Sequence, residues 1–364
     1  MRFYNFYKKV IILKNLLVIF GGCSSEYTIS LRSSASVLRN INTDKYNVLT
    51  LGITRDGRWL YYSGSIDDIE NDTWYTSDFA CPAILSPDRY DKALLIMKAD
   101  YVEKIGIDVI FPVLHGKNGE DGTIQGLFEL AGIPYVGCGH LASGMCMDKA
   151  VTNTLADAAG IPGAKWAAFT KTEYESGNVD LEPIIEKLNF PIFVKPANAG
   201  SSVGISKAHN LEELKVALDV AFQNDYKAVL EETLVGREIE CAVMGNENPI
   251  ASCIGEILPT AEFYDFDAKY IDNSTGLAIP ADLPEDVSEK VRKAAVNAYK
   301  ALGCEGCSRV DFFLADDGTC YLNEINTLPG FTSISMFPKL FGQVGIPYSE
   351  LIDKLIEYAE NRSR

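Results

Sequence analysis

Two stretches near the end of the chain carry the residue types that hold a metal ion beside a phosphate. Arg309-Val-Asp311-Phe-Phe is followed by Tyr321-Leu-Asn-Glu324-Ile-Asn326-Thr. If both are strands, alternate residues face one way, so Arg309 shares a face with Asp311, and Glu324 with Asn326. Adjacent strands of this kind present two carboxylates, an amide oxygen and a guanidinium to one space. All-oxygen donors suit Mg²⁺, which keeps waters and shares its other positions with substrate phosphates. The bland reading is a solvated sheet face, with Phe312, Phe313, Leu322 and Ile325 supplying the buried one. The oxygen-rich donor set favours the metal.

A second signal is Ala199-Gly200-Ser201-Ser202-Val203-Gly204, a Gly/Ser loop between two strands, preceded by Lys195 in FVKP. Backbone N–H groups and hydroxyls in such a loop can cradle phosphate oxygens while a nearby lysine supplies charge. No Gly-Lys-Ser/Thr opens a helix here, so this is not the Walker pattern. Such turns mostly just turn. The loop gains weight from the metal face and from a second internal lysine, Lys149 in MDKA. A third stretch, Val229-Leu-Glu231-Glu232-Thr-Leu234, leads through Gly236 to Glu238. Backbone groups there can bond an adenine edge and the later carboxylate can hold ribose hydroxyls, although the stretch alone reads equally well as a hinge.

These groups need a large scaffold, and 364 residues supply one: two or three domains with room for an extensive core. Apolar residues make up 47% and charged residues 23%, the balance of a folded globular chain. With 33 Lys+Arg against 50 Asp+Glu the net charge is −17, which repels a phosphate backbone and argues against nucleic acid as a partner. An anionic ligand therefore needs a local cluster of lysine and arginine. Nine cysteines, an odd number scattered along the chain, read as free thiols in a reducing compartment. Cys304-Glu-Gly-Cys307 has CxxC spacing, but there is no second CxxC, and three histidines in all make a zinc site a poor expectation.

Lys8-Lys9 precede an apolar run that Lys14 and Asn15 interrupt, with no small-residue cleavage site after it. The spacing predicts a first buried strand behind a short basic extension, residues 1–15. No stretch reaches the ~18 uninterrupted apolar residues of a membrane span, so no membrane partner and a cytoplasmic location are expected. LLVIF (16–20), NVLTLGIT (47–54) and DVIFPVL (108–114) alternate with helical patterns such as Ile29 to Leu38, which predicts an open parallel α/β layer over residues 16–148. Ligand-facing loops then fall at its carboxyl edge, at Gly21-Gly22 and His115-Gly116. A helix from about Lys149 to Ala159 stops at Gly160-Ile-Pro162. A compact α+β unit over 149–234 follows, with strands PIFVKP, ISKA and KAVLEE around a helix from Asn210 to Phe222. A third unit, 235–364, carries strands around Glu238–Val243, Ile254–Ile257, Ser308–Leu314 and Thr319–Ile325. Its polar, aromatic segment from 258 to 281 is too long for an ordinary connection and reads as a functional loop.

Taken together, GGCSSEYTISL (21–31), PVLHGKNGEDG (112–122), QG (125–126), MDK (147–149), FVKPANAGSSVGISK (193–207), EFYDFDAKY (262–270), SRVDFF (308–313) and NEINTLPGFTSIS (323–335) resemble the D-alanine–D-alanine ligases of the ATP-grasp superfamily. The resemblance runs from about Leu16 to Glu360 in the family's order and spacing. It implies an ATP-grasp fold of α/β and α+β units: an N-terminal open parallel α/β domain, a central α+β lid and a C-terminal α+β catalytic domain with a mobile loop at 258–281. It also implies ATP-dependent joining of two D-alanines through a D-alanyl phosphate, for peptidoglycan, by a homodimer.

Carried over by motif, the resemblance places Lys149 and Lys195 on ATP phosphates with Ser201 and Ser202 of the loop. It places Glu231, Glu232 and Leu234 near adenine and Glu238 on the ribose. Asp311, Glu324 and Asn326 hold two Mg²⁺ (or Mn²⁺) ions, which neutralise charge as phosphoryl transfer requires. Arg309 and the Gly330 N–H stabilise the oxyanion of the tetrahedral intermediate. Glu26 takes the first D-alanine's ammonium, Ser201 and Tyr270 link it to the mobile loop, Lys269 reaches the transferred phosphate, and Ser335 holds the second substrate's carboxylate. His115 and Tyr264 fall near the substrates. On the residues alone, Glu26 reads as a cap on the next helix and His115 as a satisfied core histidine.

An acyl phosphate hydrolyses if water reaches it, so a closing loop suits the chemistry. Tyr270 in that loop speaks against a hydroxy acid as second substrate. D-Serine stays open: GITRDGRWLYYSG (52–64), NDTWY (71–75) and PVLHGKNGEDG look closer to vancomycin-resistance type D-alanine–D-serine ligases, whereas FTSISMFPK (331–339) looks like the D-alanine enzymes, with Met336 where resistance-type relatives often carry arginine. A pocket separates side chains of this size by only ~1–3 kcal/mol unless it bonds the hydroxyl, and the balance leans to D-alanine. Two other classes fit worse. A nucleotide-binding protein without ligase activity would have lost part of the Arg309, Asp311, Glu324 and Asn326 set, and a dinucleotide oxidoreductase would show G-x-G-x-x-G after the first strand.

Overall fold

The computed structural model describes residues 13–200, 203–258 and 276–362, which form three sheets in chain order. The first contains β1 (Lys14–Gly21), β2 (Tyr46–Ile53), β3 (Trp59–Tyr62), β4 (Ala80–Leu85), β5 (Ala93–Met97), β6 (Val102–Gly106) and β7 (Val109–Leu114), in the spatial order β6-β5-β4-β3-β2-β1-β7. β1 is buried from Leu16 onward and pairs parallel with β2 and with β7, as the three apolar runs imply. The parallel expectation holds for those three strands only, because β3 to β6 continue the sheet antiparallel. Short links explain three of these pairings: residues 54–58, 86–92 and 98–101 are too few for a crossover, which takes a dozen or more. β1 also begins inside the stretch expected to be an extension, and Lys14 forms an ion pair with Glu360 at 2.5 Å.

The second sheet has β8 (Trp166–Thr170), β9 (Ile192–Pro196), β10 (Ser206–Ala208) and β11 (Lys227–Glu232), ordered β10-β9-β11-β8 and wholly antiparallel. The third has β12 (Arg237–Met244), β13 (Ile250–Leu258), β14 (Gly276–Ala278), β15 (Cys307–Leu314) and β16 (Cys320–Asn326), ordered β14-β13-β12-β15-β16. The helices are α1 (Tyr27–Asn40), α2 (Ile66–Glu70), α3 (Thr123–Ala131), α4 (His140–Met147), α5 (Lys149–Ala158), α6 (Lys171–Glu175), α7 (Leu181–Leu188), α8 (Leu211–Asn224), α9 (Glu285–Ala301), α10 (Met336–Gln343) and α11 (Tyr348–Glu360). None among the described residues is long and apolar enough to cross a membrane.

The first and third sheets share a core. One apolar cluster joins Leu16 and Val18 of β1 and Phe111 of β7 to Met244 of β12 and to Phe337, Leu340, Leu351 and Leu355 of α10 and α11. Each such side chain contributes about 1.5–3 kcal/mol when fully buried. β1 and β7 are thereby held against the third sheet. The second sheet has a cluster of its own, in which Leu214, Leu218 and Phe222 of α8 pack on Ile192, Val194 and Leu230.

Candidate active site

β15 and β16 pair antiparallel with Arg309 opposite Asn326 and Asp311 opposite Glu324. This register puts all four side chains together, as period-2 reasoning required. Arg309 donates a fork to Asp311, Nε to Oδ1 at 2.8 Å and Nη2 to Oδ2 at 2.7 Å. Its Nε also lies 3.0 Å from Glu240 Oε2 on β12, a carboxylate that the motif reading passed over. Burial works against the Arg309 charge, but Asp311 and Glu240 more than offset it and hold the guanidinium protonated. Asn326 Nδ2 donates to Asp311 Oδ2 at 2.9 Å and to Glu324 Oε1 at 3.4 Å. Amide donors thus sit between two carboxylates where a cation would draw the same oxygens, and turning the amide over would present its oxygen instead. Among the described residues no three His, Cys, Asp or Glu side chains gather as a metal-binding group. The donors present fit a hard divalent cation that takes the rest of its coordination from water and phosphate.

One cavity is lined by Lys149, Ala199, Gly200, Glu324 and Asn326, so the Gly/Ser loop faces the carboxylate strands. Lys149 is the first residue of α5 and is latched twice to that loop: its N–H donates to Ala197 O at 3.0 Å and its Nζ to Ala199 O at 2.6 Å. Asp148, which sequence reasoning missed, sets this up. It caps α5 by accepting from Ala150 N and Val151 N, and its other oxygen pairs with Lys227 Nζ at 2.5 Å. An Asp at the entry to a helical pattern was the available signal.

Lys195 on β9 reaches across to Glu231 on β11, at 2.6 Å, and both side chains are nearly buried. Asn153 Nδ2 donates to the other Glu231 oxygen at 3.1 Å. Burial alone would raise the Glu231 carboxyl, yet Lys195, Asn153 and Lys149 together hold it below the usual range. Its carboxylate is therefore spoken for, and what the segment can offer a base edge is its backbone. Glu232 is likewise engaged, accepting from Lys165 N at 2.8 Å. Leu234 follows β11 half-buried, and Glu238 lies on β12 opposite Ile257 and Phe313.

Glu26 stands at the N-cap of α1, where the bland reading put it, but its side chain makes no capping hydrogen bond. It is buried against two glycines. A Cβ at Gly200 would come within 2.9 Å of Glu26 Oε2, and one at Gly116 would overlap the same oxygen. The Glu26 carboxylate thus bridges the first sheet's carboxyl edge and the Gly/Ser loop. His115, at the end of β7, is buried between Ser33 Oγ, 3.1 Å from Nε2, and Glu120 Oε1, 3.5 Å from Nδ1. Burial disfavours its charge, but Glu120 and Glu26 outweigh that and raise its pKa. It is a satisfied core histidine, as the bland reading held, and it also sits within the field of Glu26.

Gly330 and Ser335 meet: a Cβ on the glycine would lie 2.8 Å from Ser335 Oγ. Ser335 is the N-cap of α10, its Oγ accepting from Thr332 N at 3.0 Å, so it stands where helix N–H groups favour a carboxylate. Met336, the next residue, is buried with its sulfur against Gly255. Ser201, Ser202, Tyr264, Lys269 and Tyr270 lie outside the described residues, as does most of the 258–281 segment.

Two family models match this chain, described as the N-terminus (residues 15–138) and the C-terminus (residues 155–357) of D-ala D-ala ligase. The chain is 53% identical over 363 residues to a D-alanine–D-alanine ligase of Acetivibrio thermocellus, covering 96% of each, and 50% identical to one from Caldicellulosiruptor bescii, covering 95% of each. Among solved structures it resembles the VanG D-Ala:D-Ser ligase from Enterococcus faecalis, with a TM-score of 0.88 at 42% identity over 96% of this chain and 100% of that one.

Proposed function

The chain belongs to the D-alanine–D-alanine ligase family, and from that premise we propose that it joins two D-alanines at the expense of ATP, through a D-alanyl phosphate. It is a ligase of the ATP-grasp fold. The observation that carries the mechanism is the convergence of Arg309, Asp311, Glu324 and Asn326 on one face, opposite Lys149 and Gly200.

In this reading Lys149 and Lys195, with the Gly/Ser loop and its Ser201 and Ser202, hold the ATP phosphates, and Lys269 reaches the one transferred. Adenine lies along Glu231, Glu232 and Leu234 and the ribose on Glu238. Asp311, Glu324 and Asn326 hold the divalent ions, Mg²⁺ or Mn²⁺, whose part is to neutralise charge on the phosphates. Glu26 fixes the first D-alanine's ammonium, near His115, so that its carboxylate points at the phosphate. Ser335 and the start of α10 hold the second D-alanine's carboxylate, which aims its amine at the acyl carbon. Arg309 and the Gly330 N–H then stabilise the oxyanion as the amine adds. Tyr264 contributes to substrate binding, Ser201 with Tyr270 links Glu26 to the mobile loop, and that loop closes the site against water. Residues 16–148, 149–234 and 235–364 act as three units in a cytoplasmic homodimer.

D-Serine as second substrate is the lesser reading. It draws support from the VanG likeness at 42% identity, against relatives named D-alanine–D-alanine ligase at 53% and 50%. The test is phosphate release from ATP with Mg²⁺ and D-alanine, with and without equimolar D-serine, the product identified by mass spectrometry. D-Alanyl-D-alanine is expected to predominate. Predominant D-alanyl-D-serine would reverse the substrate assignment, and no dipeptide at all would overturn the reading.

A further inference from the structure

Cys146, in the last turn of α4 and three residues before Lys149, forms part of the wall of the cavity lined by Lys149, Gly200, Glu324 and Asn326. Behind it, 3.8 Å from sulfur to sulfur, stands Cys304, in the turn between α9 and β15. Both are free thiols, 158 residues apart in the chain. Both backbones are tied down: Thr152 Oγ1 donates to Cys146 O at 3.3 Å, and Cys304 N–H donates to Tyr299 O at 2.9 Å. A disulfide needs a sulfur separation of about 2.05 Å, so an approach of less than about 2 Å completes the bond.

We propose that Cys146 and Cys304 are a reversible modification site, cross-linked when a peroxide entering the nucleotide cavity oxidises Cys146. The Cys146 sulfur attacks one peroxide oxygen, the O–O bond breaks, and a sulfenic acid and one water result. The Cys304 sulfur then attacks the Cys146 sulfur, the S–O bond breaks, and its oxygen leaves as a second water. Two thiols are oxidised to one disulfide and one hydrogen peroxide is reduced to two waters.

The pairing is selective. Cys307, the CxxC neighbour of Cys304, lies in the cluster with Leu16 and Met244, whereas Cys304 lies in the cluster with Cys146. Cys138 shares that cluster and also touches Cys304, but it does not line the cavity, so Cys146 is the thiol that a peroxide entering there meets. The bond would tie α4, which feeds Asp148 and Lys149, to the segment that carries Arg309 and Asp311. The spacing between phosphate-binding lysine and metal strand would then be fixed, which makes the modification inhibitory. That last step, and the protection by ATP expected below, rest on the function proposed above; the cross-link itself does not.

The experiment exposes the full chain to graded hydrogen peroxide, alkylates remaining thiols and maps unreduced peptides by mass spectrometry, with ligase activity read in parallel. The expected result is a linked Cys146–Cys304 peptide that grows with dose, with activity falling in step and both reversed by dithiothreitol. ATP with Mg²⁺, added without D-alanine, should slow the linkage severalfold. In Cys304→Ala the untreated activity should stand, and peroxide should leave a dimedone-reactive sulfenic acid at Cys146. A Cys138–Cys304 or Cys304–Cys307 link, or free Cys146 and Cys304 in fully inactivated protein, overturns the proposal; if Cys304→Ala does not fold, the wild-type map decides alone. Untreated protein without ligase activity would count against the proposed function and leave the map readable.

Discussion

Replacing Lys195 with methionine removes one half of an ion pair closed at 2.6 Å, with side chains only 13% and 11% exposed. Breaking such a pair from one side costs about 3–5 kcal/mol, because the remaining charge is stranded. Here the Asn153 bond to Glu231 and the nearby Lys149 charge soften the loss, so about 3 kcal/mol is expected for Lys195→Met. Glu231→Gln keeps an acceptor for Lys195 and should cost about 2 kcal/mol. The double variant strands no charge and should cost about 3 rather than about 5 kcal/mol, a coupling of about 2 kcal/mol. The assay is native-state hydrogen exchange of peptides covering Lys227–Glu232, which reads the second sheet without requiring the whole chain to unfold in one step. Additive losses, within about 0.5 kcal/mol, would refute the idea that the two residues act as one unit. Acid gives an independent check. The Glu231 carboxyl is depressed in the fold, so its contribution is present above the unfolded value of about 4.3 and is lost as pH falls through the folded one. Glu231→Gln should flatten that acid limb.

Asp148→Ala should raise the KM for ATP more than it lowers kcat, since it loosens Lys149 without touching substrate. Loss of the cap and of the Lys227 partner should cost about 2–3 kcal/mol, read by the same exchange measurement on α5. Gly200→Ala would push a methyl to within 2.9 Å of Glu26 Oε2, and should raise the KM for the first D-alanine while ATP binding changes little in calorimetry. Glu324→Gln should increase the Mg²⁺ needed for half-maximal rate, whereas a chelator should abolish activity without changing the melting temperature, because ladder bonds and the Asn326–Asp311 hydrogen bond hold β15 and β16 together. A loss of fold on chelation would overturn that.

Much of this architecture was legible because its signals are local. The buried runs of β1, β2 and β7 announce a parallel layer, and the alternation in 309–311 and 324–326 places four side chains on one face before any pairing is known. The strands β3 to β6 were not legible. β6 alternates between exposed and half-buried residues and owes its place to β5 and not to an apolar run of its own. Pairings across the fold were hidden for the same reason. Lys195 and Glu231 each suggested a ligand, and only the β9–β11 register reveals that they hold each other. Glu240 carried no motif, yet it faces Arg309 from the neighbouring strand.

The cluster that joins β1 and β7 to α10 and α11 also sets an order of events during synthesis. Leu16, Val18 and Phe111 emerge from the ribosome more than 200 residues before Phe337, Leu340 and Leu355. At about 5–20 residues per second that interval is on the order of 10–40 seconds. For that time the first sheet has one apolar face without its cover, and its parallel strands belong to the slow-forming, non-local class. The nascent chain therefore presents a binding surface for chaperones that vanishes when the last two helices arrive, and a chain truncated before Met336 would keep it permanently.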